Sequence, residues 1–150
     1  MRKALILAMT AALGAASALA NTNPNLNESI DRILSEARAV EHQAEQLSTS
    51  LKSRQADLSK ATEMSTQLKE RVKAVKQLVE EIEPSIAAAH RDVYDSIVLK
   101  AKLLEIFVMN KEELLTSAQA AKKRSLIRAK ADGIAKRAEM LQQAAIRLKS

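Results

Sequence analysis

Two histidines and a few paired carboxylates are the only residues in this 150-residue chain with the makings of a reactive centre, because it contains no Cys. Without thiols there is no disulfide framework, no thiolate nucleophile and no thiolate metal site. His42 is flanked by Glu41 and Glu45, but Glu45 follows it by three residues, and no Glu-x-x-His of the carboxylate-bridged di-metal type occurs. His90 and Asp92 have no nucleophile beside them. Glu80 with Glu81, and Glu112 with Glu113, read as solvent-facing charge. These residues therefore give no catalytic, metal or cofactor site, and the chain reads as non-enzymatic.

The elements that would carry any site are helices. Two Gly and two Pro are too few for the turns of a β sandwich or the phosphate-cradling loops of an α/β domain. The first twenty residues form a separate unit: cationic Arg2 and Lys3, an uncharged apolar run over residues 4–13, and the small-x-small site Ala18-Leu19-Ala20 before polar Asn21. This pattern predicts a signal peptide cleaved after Ala20, and hence a periplasmic or secreted protein. Cleavage removes Arg2 and Lys3 and lowers the net charge from +6 to +4.

Residues 21–150 then read as one helical domain whose dominant signal is a heptad. Alternating steps of four and three from Leu26 reach Ile30, Ile33, Ala37, Val40, Ala44, Leu47, Leu51, Arg54, Leu58, Ala61, Ser65, Leu68, Val72, Val75, Val79, Ile82 and Ile86, with only Arg54 and Ser65 polar. A seam of period 3.5 must be covered by another helix wound along it. Asn25 and Glu28, after Pro24, have capping-box spacing and mark the start. Residues 25–83 are expected to form a rod of ~90 Å at ~1.5 Å per residue. Pro84 lacks the amide the helix ladder needs, so the helix must end or kink there, leaving a second arm over residues 85–149.

In the second arm Ile86, Val93, Ile97, Leu104, Val108 and Leu115 follow a looser spacing, and Ile127, Ala131, Ile134, Ala138, Leu141, Ala145 and Leu148 return to a strict one. Folding back at Pro84 would bring Ala131 level with Ala37, small residue against small. Residues 25–63 hold five basic and seven acidic side chains, whereas residues 111–150 hold ten basic and four acidic. Opposite charge on the two arms favours an antiparallel arrangement. The fold class expected is therefore all-α: an elongated coiled coil, as an antiparallel helical hairpin bent near Pro84.

Residues 109–117 carry two competing boundary signals. Asn110-Lys111-Glu112-Glu113 has capping-box spacing that would start a helix at 111, and Thr116-Ser117-Ala118-Gln119 offers similar chemistry six residues later. Gly133 interrupts the last helix with a residue about 1 kcal/mol less favourable than Ala, yet the apolar seam runs through it. Leu115-Thr116-Ser117-Ala118-Gln119 resembles the Leu-Thr-x-x-Gln motif of the Spy and CpxP periplasmic proteins, among them an ATP-independent chaperone. Those families carry the motif twice, on shorter helices; this chain has it once. The basic, Cys-free, signal-bearing profile also resembles Skp-type chaperones, without a strand-forming segment to match their trimerisation body.

Leu99, Leu103 and Ile106 form a second apolar stripe beside the seam, and with the aromatics Tyr94 and Phe107 nearby they make a candidate partner or oligomer face. Lys123, Lys130 and Arg137 recur every seven residues as a candidate basic face. Two aromatics cannot build the stacking platforms of single-strand binders, so nucleic acid is not among the expected partners. The expected function is a structural or protein-binding component of a bacterial envelope that self-associates. The alternatives are a chaperone for unfolded clients and a protein that binds anionic lipid or cell-wall polymer.

Overall fold

In the computed structural model, which describes residues 23–53, 58–117 and 119–149, the heptad positions are the core. The leader pattern and Arg54 lie outside the described residues. Four long helices follow one another: α1 (Asn23–Ser50), α2 (Leu58–Glu81), α3 (Arg91–Thr116) and α4 (Arg124–Leu148). Each packs along two others, α1 between α2 and α4, and α3 likewise. The result is an all-helical bundle in which every seam meets its neighbours inside one chain.

Bonds between helices fix the directions. Arg71 of α2 reaches Glu36 of α1 at 3.1 Å, Lys76 of α2 reaches Glu105 of α3 at 3.2 Å, and Lys149, just past α4, reaches Asp31 of α1 at 2.5 Å. With Gln142 Nε2 donating to Glu41 at 2.8 Å, these pairings run antiparallel. The acidic first helix and the basic last one do lie side by side. Their register differs from the expected one: the Gln142–Glu41 and Lys149–Asp31 pairs set Ala37 near the level of Ala145 and Ala44 near that of Ala138. All four alanines are fully buried, so small residues still face small.

The expected rod over residues 25–83 is not formed. Helix α1 ends in the run Ser48-Thr49-Ser50, where the Ser50 hydroxyl donates to the Leu47 carbonyl at 2.8 Å and so competes with the helix ladder. Leu51 is buried and its carbonyl accepts from Arg124 Nε at 3.0 Å, which ties this turn to the start of α4. Leu58 follows Leu51 by seven positions, so the two stay in step and the heptad keeps its phase from α1 into the antiparallel α2, with Arg54 the polar heptad position between them. At the other end α1 begins at Asn23, two residues before the expected cap, with Pro24 in the first turn, where a missing amide leaves no bond unmade.

Pro84 ends α2 and does not kink a continuous helix. It sits in a 3₁₀ turn, Glu83–Ser85, and after extended Ile86 and Ala87 a second, Ala88–His90, leads into α3. Helix α3 carries a stricter seam than the sequence suggested: Tyr94, Ile97, Ala101, Leu104, Val108, Lys111 and Leu115 are all buried. No helix starts at Lys111, which is mid-helix. The chain breaks at the second signal, where Thr116 and Ser117 hydroxyls donate to the carbonyls of Glu112 and Leu114 at 2.9 Å, and α4 begins only at Arg124.

Replacing a seam residue such as Leu104 or Ile134 by Ala is expected to cost about 2–5 kcal/mol in denaturant unfolding, and Leu99→Ala less than about 0.5 kcal/mol. Equal costs at Leu104 and Leu99 would contradict this packing.

Candidate functional site

The two sets of residues singled out in the sequence meet between α3 and α4. Phe107 of α3 is half-buried and lies against Gly133 of α4; a Cβ at Gly133 would stand 2.3 Å from Phe107 Cε2. The glycine is therefore a seat for the ring, which a side chain would fill, rather than a flaw in the helix. Lys130 Nζ lies 5.2 Å from the ring centroid and the Arg137 guanidinium carbon 4.6 Å from it, one turn to either side of Gly133. Cations over an aromatic face are drawn by its quadrupole, by about 0.5–1 kcal/mol each at exposed sites. Leu99 and Ile106 project outward from α3, 57% and 49% exposed, and Leu103 is half-buried.

Two residues leave these sets. Tyr94 is buried in the α3 seam, with its hydroxyl donating to the Val79 carbonyl at 3.0 Å; that bond and its burial make it a core residue rather than part of a partner face. Burial, with Glu83 nearby, also raises its phenol pKa above the ordinary value. Lys123 precedes α4 as its N-cap and stands apart from the pair over Phe107. His42 and His90 are exposed on α1 and in the α2–α3 connection. Among the described residues no group of three metal-ligating side chains occurs.

The buried polar group that sequence reasoning missed is Lys111. It occupies a seam position, is 0% exposed, and donates through Nζ to the hydroxyl of Ser65 on α2. Ser65 Oγ in turn donates to Glu112 Oε1 at 2.8 Å, and Lys111 Nζ lies 3.7 Å from the same oxygen. Burial, with the Lys69 charge adding to it, pulls the Lys111 pKa down to about 8, against an opposing pull from Glu112. Ser65 was visible as a polar break in the first seam. Lys111 was not, because the capping-box spacing of Asn110–Glu113 assigned it to a helix start. Continuing the α3 steps through Tyr94 and Ala101 would have placed it inside.

A serine beside a lysine of lowered pKa is the raw material of nucleophilic catalysis, provided the amine accepts the hydroxyl proton. Here the proton order runs the other way, from lysine to serine to carboxylate, and both Ser65 and Lys111 are fully buried. Only Glu112 reaches the surface, on the wall of a groove of about 510 Å³ between α2 and α3. The arrangement is a polar layer in an apolar core, in which each polar side chain has a partner.

No protein-family model, no curated protein and no solved structure matches the chain.

Two outcomes test this geometry. Between pH 8 and 10 the unfolded chain, with lysine at its ordinary value, holds more protons than the folded one, so unfolding free energy should rise with pH by up to about 1.4 kcal/mol per unit. Above pH 10 the raised Tyr94 value opposes this, since stability is lost as that phenol ionises. Lys111→Met should abolish the rise and be at least as stable at pH 7; a loss of several kcal/mol there would contradict a merely tolerated charge. Gly133→Ala should destabilise by about 1–3 kcal/mol by displacing Phe107, but stabilise by up to about 1 kcal/mol in a Phe107→Ala background. The same sign in both backgrounds would rule out the seat.

Proposed function

We propose that this is an exported, non-enzymatic helical binding protein of the bacterial envelope, which engages its partner through the outer face of α3 and α4. The observation that carries the reading is the distribution of exposed large hydrophobic side chains. Among the described residues these are Leu99, Ile106 and Met109 on α3 and Leu126, Met140 and Ile146 on α4. None is on α1 or α2. A bundle that covers its own seams gains no stability from such residues; Met109 lines the groove toward α2, and Leu99 with Ile106, seven residues apart on the outside of α3, mark the contact face. Covering the seams also requires no second copy of the chain, so self-association is not needed for folding. The export part of the proposal rests on the leader pattern of residues 1–20.

Mass measurement of the protein recovered from the export compartment should give residues 21–150. A Leu99→Asp, Ile106→Asp variant should leave the envelope fraction for the soluble one while keeping its helicity and melting temperature. Retention of the leader would overturn the export assignment, and unchanged envelope association would overturn the binding face.

A further inference from the structure

A concavity of about 420 Å³ opens between α1 and α4, lined by Glu45, Ser48 and Thr49 of α1, by Lys52 in the turn after it, and by Arg128 and Asp132 of α4. All six side chains are polar, and two carry each sign of charge. The four charged groups do not neutralise one another. Among the described residues none of them is in an ion pair, although Arg128 and Asp132 stand four apart on one helix face. Two hydrogen-bonding groups in the same wall are also open: Arg128 Nε is buried with no partner, and Ser48, only 5% exposed, has a hydroxyl that makes no hydrogen bond. Polar groups buried this far are ordinarily satisfied within the protein.

Antiparallel pairing of the two helices orders the charge along the concavity. Gln142 on Glu41 and Arg124 on the Leu51 carbonyl bracket this stretch, so Asp132 lies toward the Glu45 end and Arg128 toward the Lys52 end. One end is acidic, the other basic, and the Ser48 and Thr49 hydroxyls stand between them. Along the helix axes Glu45 and Lys52 are ~10 Å apart, and Arg128 and Asp132 ~6 Å, at ~1.5 Å per residue. The complementary ligand is cationic at one end, anionic at the other, hydrogen-bonding in the middle and ~6–10 Å long on the same rise. An anion alone would meet Glu45 and Asp132, and a cation alone would meet Lys52 and Arg128.

We propose that this concavity binds a free di- or tripeptide, a use of the bundle separate from the outer face of α3. The peptide's termini carry opposite charge, its amides donate and accept, and at up to ~3.3–3.6 Å per residue it spans roughly 7–11 Å. Its ammonium lies at Glu45 and Asp132, and its carboxylate at Lys52 and Arg128. The guanidinium takes the carboxylate as a fork, which gives the buried Nε its acceptor. Ser48 and Thr49 face the amides between. With no apolar residue in the wall, the side chains that fit are small ones.

Calorimetric titration of the purified exported protein with dialanine and trialanine tests this. Saturable binding at one site per chain is expected. Acetylating the peptide's amino terminus or amidating its carboxyl terminus should each weaken binding at least about tenfold, and alanine itself, too short to reach both ends, should bind at least about tenfold more weakly. Arg128→Gln, and Glu45→Gln with Asp132→Asn, should each cost about tenfold or more, Ser48→Ala about threefold, and Arg137→Gln on the far flank of α4 less than about twofold. Glu45 and Asp132 are exposed, so their double variant should keep its helicity and melting temperature and carries the test even if Arg128→Gln does not fold. No binding of either peptide, equal binding of the blocked peptides, or an equal loss in Arg137→Gln overturns the proposal. None of these residues belongs to the Leu99 and Ile106 ridge, so such a failure leaves the outer face of α3 to be judged by its own variants.

Discussion

A narrow apolar seam recurring every seven residues can be stable in water only if other helices cover it, and in this chain the covering helices all come from the same molecule. The rest of the structure follows from that constraint. The turns need only return each seam to its neighbours, and they use serine and threonine hydroxyls or a proline to stop the helices where the pattern itself would let them continue. Alanines at Ala37, Ala44, Ala138 and Ala145 let α1 and α4 approach closely, which suits the most extensive contact in the bundle.

One layer departs from the apolar rule. Lys111 and Ser65 replace two hydrophobes at facing seam positions, and the pair is tolerated because Glu112 completes the hydrogen bonding and carries the opposite charge to the edge of the core. Polar layers of this kind discriminate between registers. If α3 slid by one heptad along α2, the ammonium would be separated from its serine and left buried among aliphatic side chains, at a cost of several kcal/mol. The lysine thus resists mispairing among helices whose other seam residues are nearly interchangeable.

The core was legible in the sequence and the topology was not. Ile30 to Leu47, Leu68 to Val79 and Ile127 to Leu148 fall where the heptad puts them, because burial has no other way to satisfy that spacing. The turn between α1 and α2 was invisible because its seven residues preserve the phase of the repeat, so periodicity alone cannot distinguish one long rod from two antiparallel helices. At the candidate site, Phe107, Lys130, Arg137 and Gly133 were each conspicuous as residue types. That they meet is a property of how α3 lies on α4, which no count along the chain contains. Tyr94 and Lys111 were misplaced for different reasons: Tyr94 was grouped with the apolar partner face, and the capping-box spacing of residues 110–113 drew Lys111 to a helix start.

The pairing of α1 with α4 has a kinetic meaning. Among the described helices the first finds its largest partner in the last, and the pairs Glu41–Gln142 and Asp31–Lys149 are each more than a hundred residues apart in the chain. The N-terminal hairpin can form early, but one flank of α1 stays bare until translation is complete. The bundle therefore closes last along the contact between α1 and α4, and its full stability arrives only when α4 is in place.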